Sequence, residues 1–106
     1  MEYNNLIKVI EVIKKLRDPE NGCPWDLKQD HKSLLKYLIE ESYEYIQAVE
    51  EDNMTQMEEE IGDVLLQVLL HSEIASETNS FNIDSVAKRL AEKMIYRHPH
   101  VFKDKS

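Results

Sequence analysis

The chain has 106 residues and a formal net charge of −8 from 13 basic and 21 acidic side chains, a balance that argues against a nucleic-acid-binding surface or an anionic-membrane binder. That length makes one modest domain, residues 1–106, and no run of about 18 apolar residues is present to span a bilayer. The stretch MEYNNLIKVIEVIKKL lacks the basic start and small-residue cleavage site of a secretory signal, and the single cysteine, Cys23, rules out an internal disulfide or a multi-cysteine zinc site and fits a reduced thiol in a cytoplasmic protein.

Two glycines and three prolines leave long stretches free for helix. Tyr3, Leu6, Ile7, Ile10, Ile13 and Leu16 recur at helical spacing and predict a first helix to about Arg17. DPENGCPWD, with a glycine and two prolines, predicts a loop. Trp25 within it could stack on a base or plug the bundle. Asp30 is a plausible N-cap for a second helix running to about Glu51, with Leu34, Leu35, Leu38, Ile39, Ser42, Tyr45, Ile46 and Val49 as its stripe. EDNM breaks that helix. Asn53 or Thr55 caps a third, Thr55 with Glu58 fitting a capping box, and it runs to about Glu77. TNSFN is the next loop. Ile83, Val86, Ala87, Leu90 and Met94 predict a fourth helix, capped by Asn82 or Asp84 and stopped before Pro99, because His98 ahead of a proline is pushed out of the helical region. No alternating strand pattern competes, so the expected fold is all-α, a four-helix bundle-like domain.

On a helical wheel the third helix has one apolar face of Met57, Ile61, Val64, Leu65 and Val68. Leu66 and Leu70 lie on roughly the opposite side, so a second surface has to cover them and at least a homodimer is expected. Glu60, Asp63, Gln67 and His71 share a narrow strip between the two. On the second helix Glu41 and Glu44 are three apart, hence neighbours at the edge of its stripe, while Glu40 points further towards solvent. The short connection between these helices makes them antiparallel neighbours, which brings the two acid pairs together. Two readings are open. The four are ordinary solvated helix acids, or they enter protein surroundings with a cation, because isolated buried carboxylates carry large penalties. An all-oxygen set favours Mg²⁺ or Mn²⁺, whereas a di-iron bundle calls for Glu-x-x-His pairs that neither acid pair supplies. A metal held by carboxylates alone typically serves phosphate chemistry. Lys93 and Arg97, one turn apart, are candidate phosphate contacts or cations placed at a helix C-terminus. His98 and His100 are a candidate metal pair or ordinary packing and surface residues of an extended tail.

NGCPWD, YLIEESYEYIQAV, EEEIGDVLLQVLLHSEIA and KMIYRHPHVF, in this order, resemble the MazG-type nucleoside triphosphate pyrophosphohydrolases over essentially the whole chain. The CPWD loop and RHPHVF tail make the likeness specific, since acidic helices alone are common. The resemblance implies an all-α fold related to the dimeric dUTPases, with helices of two chains sharing a core in a homodimer or higher homo-oligomer. It also implies hydrolysis of a nucleoside triphosphate to the monophosphate and pyrophosphate by water activated with Mg²⁺, Mn²⁺ being a substitute. By position, the metal ligands fall on Glu41, Glu44, Glu60 and Asp63, Glu40 completes the acidic motif as the candidate to support those ligands or act as base, and Lys93 and Arg97 resemble the phosphate-contacting basic positions; the expected base is Glu41 or Glu40, and Trp25 is the loop residue expected at the substrate. Many relatives carry two such domains in tandem, and Asp30 stands where relatives often carry a small hydroxyl residue. The alternatives are a non-catalytic nucleotide- or partner-binding domain of the same fold and a structural bundle with solvated acids.

Overall fold

Each long apolar stripe of the sequence becomes a helix, and two prolines start short helical turns. The computed structural model describes residues 2–102. Its elements are α1 (Asn4–Leu16), α2 (Pro24–Leu27), α3 (Leu35–Glu50), α4 (Met54–Ser76), α5 (Ile83–Arg97) and α6 (Pro99–Phe102), all helical. The all-α expectation holds, with two one-turn helices added to the four long ones. Pro24 stands at the first helical position of α2, where its missing N–H and fixed φ cost nothing. The DPENGCPWD stretch is therefore not loop throughout. Pro99 likewise stops α5 and opens α6, so the His98–His100 region is not an extended tail.

The ends show which capping signals prevail. Asn53 caps α4 by accepting from the Gln56 N–H at 3.1 Å, which leaves Thr55 inside the first turn. Asn82 and Ser85 cap α5 with a reciprocal pair of bonds at 2.8 and 3.0 Å. Asp30 and Ser33 make a similar pair at 2.7 and 2.9 Å, but they close a separate turn. The helix proper begins at Leu35, later than Asp30 alone predicts. At their C-termini α3 and α4 both close through a residue at positive φ, Asp52 at 54° and Asn79 at 57°. Asn53 N–H reaches Ala48 O and Ser80 N–H reaches Ala75 O, the Schellman pattern.

Ile13 of α1, Leu34, and Leu69 and Leu70 of α4 form the core, ringed by Val9, Ile10, Leu16, Tyr37, Leu66, Ile74 and Ile83. This corrects the expectation for α4. Leu70 is 1% exposed within the single chain, and Leu66 packs against the same core, so neither needs a second surface. The uncovered arc is the other one, Ile61, Leu65 and Val68, and α3 adds Leu35, Ile39, Tyr43 and Ile46 on a stripe of its own. A wheel finds two apolar arcs but not which one α1 will occupy. No described helix is long and apolar enough to cross a membrane.

The segment between α1 and α3 is fastened by Arg17. Its guanidinium donates to both carboxylate oxygens of Glu77, at 2.9 and 2.7 Å, to Gln29 O at 3.0 Å, and to Asp26 O. Gly22 lets the chain fold back on the end of α1: its N–H donates to Asp18 O at 2.8 Å, and a Cβ there would lie 2.4 Å from Leu16 O. The most extensive helix pair is α3 with α4, joined by residues 51–53. This hairpin carries the acids.

Candidate metal centre

On α3, Glu41 and Glu44 are three positions apart, as are Glu60 and Asp63 on α4. The antiparallel pairing brings one carboxylate oxygen from each within 4.8 Å of all the others. Glu41 Oε2 and Glu60 Oε2 are sealed from solvent without a hydrogen-bond partner. The electrostatics follow from this crowding. Glu60 is pushed up to about 7, foremost by sharing a hydrogen bond with Glu44, then by burial, then by the negative charges of Glu44, Asp63 and Glu41. Glu41 is also raised, first by burial and then by Glu44 and Asp63. The ion pairs among the described residues, Lys14–Glu73 and Arg17–Glu77, involve none of the four. A proton or a cation must offset the repulsion. Beside the cluster a cleft of about 270 Å³, lined by Glu44, Gln47, Ala48, Glu51, Gln56 and Glu60, runs towards the α3–α4 turn.

The remaining candidates are distributed more widely. Glu40 is exposed and outside the four-carboxylate group. Trp25 is half exposed and meets Tyr37 edge-on at 5.7 Å, so it does not plug the bundle. Lys93 and Arg97 are exposed on α5. Lys93 lines a different cleft, of about 840 Å³, with Phe81, Arg89 and Glu92, and no carboxylate of the cluster borders it. A single chain therefore does not bring the basic pair to the cluster through that cleft. His98 Nδ1 donates to Met94 O at 2.7 Å, and its ring tilts against His100.

Beyond the acids, the strip on α4 continues through Gln67 and His71. Gln67 is 4% exposed, with Oε1 unpartnered. His71 meets His31 through an Nδ1···Nδ1 hydrogen bond of 2.8 Å, the rings nearly parallel with centroids 5.0 Å apart, while its Nε2 is sealed and unpartnered. Burial, and then His31, hold His71 below its ordinary value. Sequence reasoning placed His71 on the strip but missed His31. No helical spacing points to His31, which arrives from the segment between α2 and α3.

A profile described as the MazG nucleotide pyrophosphohydrolase domain matches residues 29–102. The nucleoside triphosphate pyrophosphohydrolase/pyrophosphatase MazG of Thermotoga maritima is 55% identical over 92% of this chain and 38% of its own length. The uncharacterized protein YabN of Bacillus subtilis is 53% identical over 96% of this chain and 21% of its own length. The chain thus spans well under half of these curated relatives. A crystal structure of a mazG-related protein from Thermotoga maritima superposes with a TM-score of 0.74 at 31% identity, covering 98% of this chain and 86% of that one.

Proposed function

The chain belongs to the MazG nucleotide pyrophosphohydrolase domain family, and on that premise we propose that it hydrolyses nucleoside triphosphates to the monophosphate and pyrophosphate. The observation that carries this reading is the convergence of Glu41, Glu44, Glu60 and Asp63, two of them with a sealed oxygen that no described residue satisfies. The profile begins at residue 29, but Ile13 of α1 is buried in the same core, which supports treating the chain as one domain.

The donor set fits a hard divalent cation. It is all oxygen, it is crowded enough to push a carboxyl to about 7, and it has no internal counter-charge. Glu41, Glu44, Glu60 and Asp63 would hold Mg²⁺, or Mn²⁺ in its place. The ion supplies charge neutralisation for phosphate oxygens and makes water more acidic near neutral pH. Glu41 is assigned the proton of the attacking water, burial first and then the neighbouring Glu44 and Asp63 charges raising its affinity for protons. Glu40, exposed beside it, is the alternative base. The attack is assigned to the α-phosphorus.

Lys93 and Arg97 are assigned to the departing phosphates and Trp25 to the base. This goes with assembly: a second copy packed on the apolar stripes of α3 and α4 would cover Ile39, Tyr43, Ile61 and Leu65, all exposed in one chain. The lone free Cys23 fits a cytoplasmic setting. The test is a panel of nucleoside triphosphates with Mg²⁺ in ¹⁸O-labelled water. Pyrophosphate release with label in the monophosphate is expected. Orthophosphate plus diphosphate would overturn the assignment, and nucleotide binding without turnover would favour a non-catalytic binding domain.

A further inference from the structure

Among the described residues, four side-chain polar atoms are buried without a hydrogen-bond partner: Glu41 Oε2, Glu60 Oε2, Gln67 Oε1 and His71 Nε2. Such atoms are rare in folded proteins and call for an explanation. These four are not scattered. Glu60, Gln67 and His71 fall within about 40° of one another on the α4 wheel, and Glu41 belongs to the carboxylate group that Glu60 shares. The cation accounts for the two carboxylates. It does not account for an uncharged amide oxygen and an imidazole nitrogen further along the helix. At helical rise, Gln67 stands about 11 Å and His71 about 17 Å along the axis from Glu60. A nucleotide with its phosphates at the acids and laid along α4, away from the cleft at the α3–α4 turn, would bring its ribose and base to this end of the strip.

We infer that Gln67 and His71, with His31 laid over the latter, are specificity-determining residues that contact the nucleoside part of the substrate; this rests on the pyrophosphohydrolase reading. An amide offers a donor and an acceptor side by side, the pattern that reads a base edge. His71 offers Nε2, while its Nδ1 is engaged by His31. The approach is past His31, an exposed side chain on the segment that also carries Trp25. A site built around polar groups discriminates strongly, because the wrong ligand leaves those groups unpaired.

The test uses the full chain and compares Gln67→Met, His71→Phe and His31→Ala with wild type. kcat/KM is measured for ATP, GTP, CTP and UTP, together with the Mg²⁺-induced shift in Tm. The expected result is that Gln67→Met and His71→Phe each change the ratio between best and worst base by tenfold or more, chiefly through KM, while the Mg²⁺ shift persists. A uniform loss of activity with base ratios unchanged would mean a purely structural role and overturn the inference. Should the two helix variants fail to fold, His31→Ala, at an exposed position, decides in the same way. Should wild type release no pyrophosphate from any triphosphate, the enzymatic reading fails separately. Calorimetric binding of AMP, GMP, CMP and UMP then decides: base discrimination lost in the variants sustains the inference, and its absence in wild type overturns it.

Discussion

Arg17→Met isolates what fastens the segment carrying Trp25 and His31. Arg17 is 9% exposed, and methionine keeps most of its aliphatic contact while deleting every bond of the guanidinium. Two of those bonds go to Glu77, whose side chain is 38% exposed, so that ion pair is worth about 1 kcal/mol or less. The other two go to Asp26 O and Gln29 O, which only the charged donor reaches in this arrangement. Bonds to charged groups contribute about 1.5–3 kcal/mol each when shielded, and water recovers part of that here. The loss is about 2–4 kcal/mol, or roughly 8–25 °C in Tm for a domain of this size. Thermal melts followed by circular dichroism at 222 nm measure it. Glu77→Gln leaves both carbonyl bonds in place and is expected to cost about 1 kcal/mol or less. A fall of under about 3 °C for Arg17→Met, or equal losses for the two variants, would refute the assignment of this anchorage to the carbonyl bonds.

Gly22→Ala places a methyl against Leu16 O and Asp18 O, both backbone atoms, and is expected to destabilise by about 2 kcal/mol or more, read from urea midpoints. Asp52→Gly relieves a left-handed residue at the end of α3 and is expected to stabilise by about 1 kcal/mol in the same assay. Glu60 titrates near 7 when folded against 4.5 ordinarily, so the folded state holds a proton that the unfolded chain has lost between these values. Stability without divalent cation should therefore fall as pH rises from about 4.5 to 7, and millimolar Mg²⁺ should offset the fall. His71, held low by burial, acts in the opposite sense below its ordinary value. The informative quantity is accordingly the difference in Tm–pH slope between wild type and Glu60→Gln, which should lose most of the negative slope and most of the Mg²⁺ response. Ile39→Asp at the uncovered stripe of α3 should yield a monomeric mass by light scattering if that stripe is shared by two copies, and an unchanged oligomer would remove it from the interface.

What could be read from the sequence depended on whether the information was local. Helix stripes, the cap regions of α4 and α5 (though not which of Asn53 or Thr55 and of Asn82 or Asp84 does the capping), and the two acid pairs are all set by spacings of three or four residues, and a short connection between α3 and α4 leaves one arrangement for the pairs. The orientation of α4 was not local. Both of its arcs are apolar, and the choice is made by Ile13 and Leu34, which arrive from elsewhere in the chain. In the sequence Arg17 marks only the end of the first helix; its burial depends on a loop that returns over it, where Gly22 lacks a side chain. His31 had no periodic partner at all, and its meeting with His71 spans 40 residues. The acids were legible because one hairpin contains them; their uncharged neighbours became legible only through unsatisfied atoms.

That hairpin also has a kinetic consequence. Residues 51–53 are all that separates α3 from α4, so little chain entropy opposes their pairing, and contacts of this local kind form early. Docking the two helices is the same event that crowds the four carboxylates. Their repulsion is met on the way into the folded state rather than after it. In a chevron experiment without divalent cation, raising the pH through the range where Glu60 ionises should slow the refolding limb and leave the unfolding limb nearly unchanged. A cation that binds the paired acids would then speed refolding as well as stabilise the folded state, lowering the barrier to hairpin closure before any substrate arrives.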